Sequence, residues 1–382
     1  LTLLIIIFSV KLEAKSICSN FYDFLKSSDY NPELHLYPSD EYKTFGFDLR
    51  KKWDPNIEAK ENEIGKGAFL TKVNKDGYPF VGHIETEDAA EKIRFEDLVI
   101  KVNGKDVRDL DILNVDKTTE EIFEEIIKEK NNEFLLRNNK GGDYTFVSDF
   151  TDLTPISFYY DIYLKYLKIN DKTGTFDATM NLEFTGQFGP SFEIYKTAKK
   201  LLTEGEGEDM GQHECDFPVQ DWRKLDIVRP DYGIVFPNVV ESDKSLQKEN
   251  YLIEPYMQLD DDNKIDDENS SLGIHYKFEG TKRFRNNINL KTFPFDKQTL
   301  KIFIKQNRYR LDQLHTITSN YTQRKLSSFA ETENPIQGWN IVGYDHRYEP
   351  TFDENENIWS DGVLIVLEIE RKSKYYVFKI IL

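Results

Sequence analysis

Asn289-Leu-Lys-Thr-Phe-Pro-Phe-Asp-Lys-Gln-Thr-Leu300 is the stretch of this 382-residue chain that decides the fold we expect. A proline between two phenylalanines predicts a rigid, apolar loop tip in front of a strand. Asp296 follows directly, and a carboxylate in such an apolar setting needs a partner. The last twelve residues, 371–382, run from a polar strand into an apolar segment. We therefore expect a loop and a terminal strand that work together.

Beyond residue 155 the chain reads as strands separated by turns. Apolar residues alternate along 156–164, which predicts a strand with one buried face. The turn Asn170-Asp-Lys-Thr-Gly174 leads into a second strand over 175–184. Residues 187–217 carry helix-forming and acidic clusters and are interpreted as an insertion. Further strands are predicted over 251–259, 273–279, 300–305, 338–344 and 362–370. Many short strands without a long helix indicate a β-sandwich.

Four segments, in the right order, resemble the ligand-binding domain of pentameric ligand-gated ion channels. Asp171-Lys-Thr-Gly-Thr-Phe-Asp-Ala178 is similar to a pattern of the first two strands. Arg229-Pro-Asp231, followed by Asn238, resembles a later segment, although Val228 stands where the family has Trp. Phe293-Pro-Phe-Asp-x-Gln298 is the most specific match. The fourth segment is Trp339-Asn-Ile followed by the 363–370 strand. Asn286 and Leu300 occupy the places of the two loop cysteines, as in bacterial-type members.

This resemblance implies a channel subunit that assembles as a homopentamer. The fold would be an immunoglobulin-like antiparallel sandwich over 155–374, and residues 375–382 would begin the first transmembrane helix. Arg371 would be the bidentate partner of Asp296. Binding of a small ligand would be coupled to pore opening through six residues: Phe293, Pro294, Phe295, Asp296, Gln298 and Arg371. This portion would lie in the extracellular or periplasmic space, attached to the membrane.

In the same family, aromatic side chains line a cleft between neighbouring subunits, where they hold a cation by cation–π attraction. Arg308 and Arg347 lie near the same loops and would favour an anionic ligand instead. The sequence therefore leaves the identity of the ligand open, and it leaves the ion selectivity open too. The matching aromatic positions are Phe184, Tyr232, Tyr309, Tyr344, Tyr348, Phe352 and Trp359.

Residues 44–139 resemble a PDZ domain, a small half-open barrel of α+β class. Asp97-Leu-Val-Ile-Lys-Val-Asn-Gly-Lys-Asp-Val107 is close to a family segment, with Glu96 where Gly is usual and an Asn-Gly turn at its end. A helix is predicted over 118–128, opened by a capping box of Thr118 and Glu121. The resemblance implies that the backbone of Phe45, Gly46 and Phe47 holds a peptide C-terminus. A spacer that uses the same fold without binding is the alternative.

The ends and joints of the chain complete the expected organisation. Residues 1–16 read as a truncated signal peptide, 17–43 as a lead-in, and 140–154 as a linker between the two folded parts. Whether Cys18 and Cys215, the two cysteines of the chain, pair in a disulfide stays open. The acidic run 260–268 lacks the spacing of a calcium loop, so we interpret it as a solvated hairpin tip.

Several function classes are disfavoured. A net charge of −18 argues against a nucleic-acid partner. No nucleophile motif accompanies the scattered histidines, so we do not expect an enzyme. His213-Glu-Cys215 lacks a second pair of ligands, so we expect neither a metal site nor a cofactor. The alternative to a channel is a secreted peptide-binding or adhesion protein, made of a PDZ domain and a sandwich without channel activity.

Overall fold

The chain is mainly β, with twenty-three strands and three α-helices among the residues that this computed structural model describes. Those residues are 23–24, 42–58, 66–113, 117–153, 156–190, 192–204, 215–217, 234–242, 248–256, 270–286, 288, 291, 293, 295–306, 310–318, 329, 336–354 and 357–373. The predicted signal peptide, most of the lead-in, the acidic run 260–268, the 228–231 segment and the 375–382 segment lie outside them.

The N-terminal part, residues 42–153, contains ten strands, two short helices and a 3-10 turn over Val107–Asp109. Strands β6, β7, β8 and β9 form one sheet in the order β7-β6-β8-β9, while β2 pairs with β5, β3 with β4 and β1 with β10. The helices are α1 (Glu87–Lys92) and α2 (Thr119–Phe123). The strands are β1 (Tyr42–Thr44), β2 (Phe47–Leu49), β3 (Lys51–Glu58), β4 (Lys66–Thr71), β5 (Val81–Ile84), β6 (Leu98–Val102), β7 (Lys105–Asp106), β8 (Asn132–Arg137), β9 (Asp143–Ser148) and β10 (Thr151–Leu153).

Local turn and cap signals are confirmed here. Asn103 and Gly104 both adopt positive φ between β6 and β7, as the primed hairpin turn requires. Thr118 and Glu121 form the predicted capping box of α2, but the helix ends at Phe123 instead of residue 128. The strand predicted over 44–50 is split, because Gly46 has a φ of +92° that interrupts the extended backbone.

The linker predicted over 140–154 is largely a folded segment. The two glycines of this stretch, Gly141 and Gly142, form the turn between β8 and β9. Strand β10 then pairs with β1 at the start of the N-terminal part. The glycine-rich composition of residues 140–143 therefore marks a hairpin turn, since a tight turn demands the same residues as a flexible joint.

The C-terminal part, residues 156–373, contains two large sheets, a two-stranded sheet formed by residues 351–353 and 358–360, and the helix α3 (Glu193–Glu204), which falls inside the predicted insertion. One large sheet has the order β13-β16-β17-β12-β11-β19 with β15 beside β17, and the other has the order β14-β18-β23-β20. The strands are β11 (Ile156–Asn170), β12 (Thr175–Phe188), β13 (Cys215–Phe217), β14 (Ile234–Val235), β15 (Val239–Ser242), β16 (Lys248–Tyr256), β17 (Ser271–Arg285), β18 (Lys297–Gln306), β19 (Leu314–Thr318), β20 (Trp339–Tyr348), β21 (Thr351–Asp353), β22 (Ile358–Ser360) and β23 (Gly362–Arg371).

A single hydrophobic core lies between these two sheets. Fully buried side chains of β12 and β17, such as Met180 and Phe278, share it with Ile302 of β18 and Ile365 of β23. Three strands of the first sheet are 14 or 15 residues long. They are longer than the strands predicted from the sequence. The length of this sheet gives the core room for large aromatic residues.

The N-terminal and C-terminal parts are in contact. Leu311 of the C-terminal part is fully buried in the hydrophobic core of the N-terminal part, and Trp359 packs against that core. Arg50 Nη2 donates to Asp345 Oδ1 at 2.7 Å, and Arg310 Nη2 donates to Glu87 Oε2 at 2.6 Å. Apolar burial and ion pairs therefore both hold the two parts together.

Candidate functional site

The predicted loop tip lies where the chain crosses from one sheet to the other. Strand β17 of the first sheet ends at Arg285, and β18 of the second sheet begins at Lys297. Two aromatic rings are exposed on the loop, Phe293 by 43% and Phe295 by 66%. Pro294 lies outside the described residues. The loop thus presents apolar surface to its surroundings, as its sequence predicts.

Asp296 is completely buried beside this exposed tip, and Arg371 is its partner. Arg371 Nε donates to Asp296 Oδ1 at 2.6 Å, and its Nη2 donates to Oδ2 at 3.1 Å. The Arg371 backbone N–H also donates to the Asp296 carbonyl at 3.1 Å. Gln298 adds a hydrogen bond from Nε2 to Asp296 Oδ2 at 2.8 Å. The bidentate geometry is the strong form of this ion pair.

A second loop supplies a further carboxylate. Asp171, in the turn between β11 and β12, accepts a hydrogen bond from Arg371 Nη1 at 2.9 Å. The guanidinium carbon of Arg371 lies 4.1 Å from the centre of the Trp339 ring and 5.0 Å from that of Phe293. One arginine therefore joins two loops and the ends of two strands, and we call this cluster the Arg371 node (Asp171, Phe293, Asp296, Gln298, Trp339 and Arg371).

The charge state of the Arg371 node follows from its contacts. Burial by itself raises the pKa of Asp296, but the hydrogen bonds from Arg371 and Gln298 outweigh burial and hold the pKa below its usual value. Asp296 is therefore an anion at neutral pH, and the buried guanidinium has a charged partner. Asp171 and Trp339 belong to segments that the sequence singles out, but their contact with Arg371 depends on the tertiary fold.

The predicted ligand-contacting aromatics are spread over several environments. Phe184 is buried in the sandwich core beside Tyr160, while Tyr344 and Phe352 are exposed. Tyr348 lies 4.7 Å from the ring of His83 in the N-terminal part. Trp359 contacts the core of that part and donates its backbone N–H to Glu87 Oε1 at 3.3 Å. Tyr232, Tyr309 and the nearby Arg308 lie outside the described residues.

The loop predicted to hold a peptide C-terminus is bonded within the chain. Phe45 and Phe47 are fully buried, and the Gly46 N–H donates to Thr44 Oγ1 at 2.9 Å. On the neighbouring strand, the Leu49 N–H donates to Thr119 Oγ1 of α2 at 3.1 Å. An incoming peptide strand would lie between β2 and α2, where this hydrogen bond already joins them. The N–H groups of Gly46 and Leu49 are therefore already bonded within the chain.

Neither protein-family models nor curated protein sequences match this chain. Among the described residues, each helix is too short or too polar to cross a bilayer.

Proposed function

We propose that the chain is the extracellular or periplasmic ligand-binding part of a pentameric ligand-gated ion channel. The observation that carries this proposal is the position of the Arg371 node. It joins the exposed aromatic loop between the two sheets to the end of β23, the last described strand. A loop held this way has the contacts needed to pass a movement of the sheets to whatever follows residue 373.

We also propose a fold for each part of the chain that is more specific than the mainly β class. We infer a PDZ-like N-terminal part, supported by the capped helix α2 and the primed turn after β6. We infer an immunoglobulin-like sandwich of the channel type for the C-terminal part, supported by its two sheets and shared core. We further propose that a ligand binds at the boundary between neighbouring copies, and the exposure of the Tyr344 and Phe352 rings in the single chain is compatible with that role.

In this proposal the buried ion pair couples the loop to strand β23. A change of Asp296 to a neutral residue removes the fully buried carboxylate from the Arg371 guanidinium, and the carboxylate of Asp171 that also contacts it belongs to a side chain that is 36% exposed. Breaking a buried pair of this type costs roughly 3–5 kcal/mol. The loop then loses its fixed position relative to β23, and the two exposed phenylalanines no longer follow the strand.

The first test is the coding sequence beyond Leu382. The proposal requires four apolar segments of about 20 residues each, enough to span a bilayer four times. The full-length subunit in planar bilayers should then show unitary currents, and Asp296→Ala should lower the open probability at unchanged unitary conductance. A coding sequence that ends within a few residues of Leu382 would overturn the proposal.

Asp177→Ala is a matched control for that recording. Asp177 forms a similar two-point pair with Arg283, at 2.6 and 3.2 Å, but on the exposed surface between β12 and β17. We expect this variant to keep the open probability of the parent protein. An equal fall in open probability in the Asp177 and Asp296 variants would show that the Arg371 node has no special role in opening.

A further inference from the structure

Two histidines and a glutamate meet where the N-terminal part contacts the C-terminal part. His83 lies on β5, Glu85 follows that strand directly, and His315 lies on β19 of the sandwich. All three side chains are at least 90% buried. One potential ligand atom from each lies within 4.8 Å of the other two. The sequence does not reveal this cluster, because some 230 residues separate His315 from the other two.

The side chains around the cluster have the arrangement of a metal site. His83 directs Nδ1 toward Glu85 Oε1, 4.0 Å away, and its other nitrogen, Nε2, lies 3.2 Å from Asp361 Oδ2. His315 Nε2 lies 3.2 Å from the backbone carbonyl of Glu85. Histidines that bind metals usually donate the second ring N–H to a carboxylate or a carbonyl, which fixes the tautomer. Both rings here have such an oxygen.

Asp361 is held in place as a supporting group. Its Oδ2 accepts the Thr316 N–H at 2.5 Å, and its Oδ1 accepts the Gly362 N–H at 2.8 Å. The carboxylate is completely buried, so it cannot turn toward water. It can therefore orient the His83 ring without being a ligand itself.

We propose that His83, Glu85 and His315 bind a divalent transition-metal ion of the zinc class and clamp the N-terminal part to the sandwich. Two imidazoles and one carboxylate suit zinc better than calcium or magnesium, which take oxygen ligands. Ligand atoms of a tetrahedral zinc site lie about 3.3 Å apart, so these three atoms, which all lie within 4.8 Å of one another, must approach by at most about 1.5 Å. Side-chain rotations supply that movement. The carbonyl of Leu311 also faces the His315 ring, and the ion takes the place of that contact.

The test is a titration of the metal-depleted whole chain with Zn²⁺ in the presence of a competing chelator. We expect one equivalent of Zn²⁺ per chain. His83→Gln and His315→Gln should each weaken binding more than 100-fold, and Asp361→Asn should weaken it roughly 10- to 100-fold, as loss of a supporting carboxylate does. His275→Gln is the control, because this ring contacts Glu183 and Thr185 on the sandwich sheet. The affinity of this variant for Zn²⁺ should equal that of the parent protein.

A measurement on the parent protein keeps the test independent of variant folding. X-ray absorption of the zinc-loaded chain should show two imidazoles and one carboxylate around the ion. Fewer than two imidazoles, or zinc uptake that both histidine variants retain, would identify an adventitious surface ion and overturn the proposal. Failure to take up one equivalent would also overturn it. These outcomes are independent of channel activity.

Discussion

At the scale of single residues, Arg371 distributes its hydrogen bonds unequally between two carboxylates. Asp296 takes two of them and is completely buried, whereas the side chain of Asp171 is 36% exposed. One Asp171 oxygen is buried without a hydrogen-bond partner among the described residues. Water screens the outer pair, and the inner pair has no such screening. The two contacts therefore differ in strength even though both join the same guanidinium.

We expect Asp296→Asn to lower the free energy of unfolding by about 3 kcal/mol or more, because it removes the charge that balances a buried arginine. Asp171→Asn should lower it by about 1 kcal/mol or less, as an exposed pair does. Urea unfolding of the purified chain measures both values. Equal losses for the two variants would show that Asp171 is as important to the Arg371 node as Asp296.

At the scale of elements, the entry into β6 depends on an unfavourable backbone conformation. Glu96 has a φ of +67°, which side chains with a Cβ seldom adopt. It is the position where the PDZ resemblance has glycine. Its carboxylate accepts hydrogen bonds from Arg50 and Lys72. These contacts explain how glutamate is tolerated in a turn that suits glycine.

Two substitutions of Glu96 separate the loss of its ion pairs from the relief of its backbone conformation. Glu96→Gly and Glu96→Ala both lose the ion pairs, but only glycine relieves the left-handed backbone. We expect the glycine variant to be more stable than the alanine variant by about 1 kcal/mol. Glu91 is an exposed residue of α1. At this position we expect the alanine variant to be the more stable one, by about 0.5–1 kcal/mol, since glycine weakens a helix. Thermal unfolding of the four variants reports both differences, and the same order at both positions would contradict the backbone argument.

At the scale of the whole molecule, we expect the contact between the two parts to be sensitive to acid. His346 of β20 is partly buried near Asp345 and Arg50 of the inter-part ion pair, and its ring lies 5.8 Å from Tyr348. Burial lowers the pKa of His346 to about 4; Asp345 opposes this shift and Arg50 adds to it. In the unfolded chain a histidine titrates near pH 6.5. The folded protein therefore holds this ring neutral at a pH where the unfolded chain has taken up a proton.

The sign of the effect follows from that difference. The unfolded chain binds the proton first, so stability is complete above about pH 6.5 and falls as the pH is lowered toward 4. We expect the free energy of unfolding to fall by about 1–3 kcal/mol across this pH range because of His346. His346→Gln should remove this contribution to the pH dependence of stability. Unfolding free energies of both proteins between pH 7 and 4 measure the difference. Identical slopes would show that the ring is as accessible to protons as in the unfolded chain.

Local signals account for what could be predicted from the sequence. The Asn103-Gly104 turn and the Thr118 capping box depend on residues within four positions of each other, so their pattern is visible in the chain. The Asp296–Arg371 pair was expected from a family resemblance. The third partner, Asp171, and the His83–His315 cluster depend on how distant strands meet, which spacing does not encode. The pattern of α2 continues to residue 127, but beyond Phe123 the backbone bonds to side chains of other elements: the Ile126 carbonyl accepts from Asn103 Nδ2, and the Lys128 carbonyl accepts from Asn132 Nδ2.

Strand β23 has a mechanical consequence. It runs without interruption from Gly362, next to Asp361 at the contact between the two parts, to Arg371. Its ten residues span about 30 Å, and both edges are bonded, to β18 on one side and β20 on the other. The hydrogen bonds along both edges make such a strand stiff along its length. We therefore expect a displacement of Asp361 along the strand axis to reach Arg371, and under the two proposals above an ion in the histidine cluster would change the position of the aromatic loop.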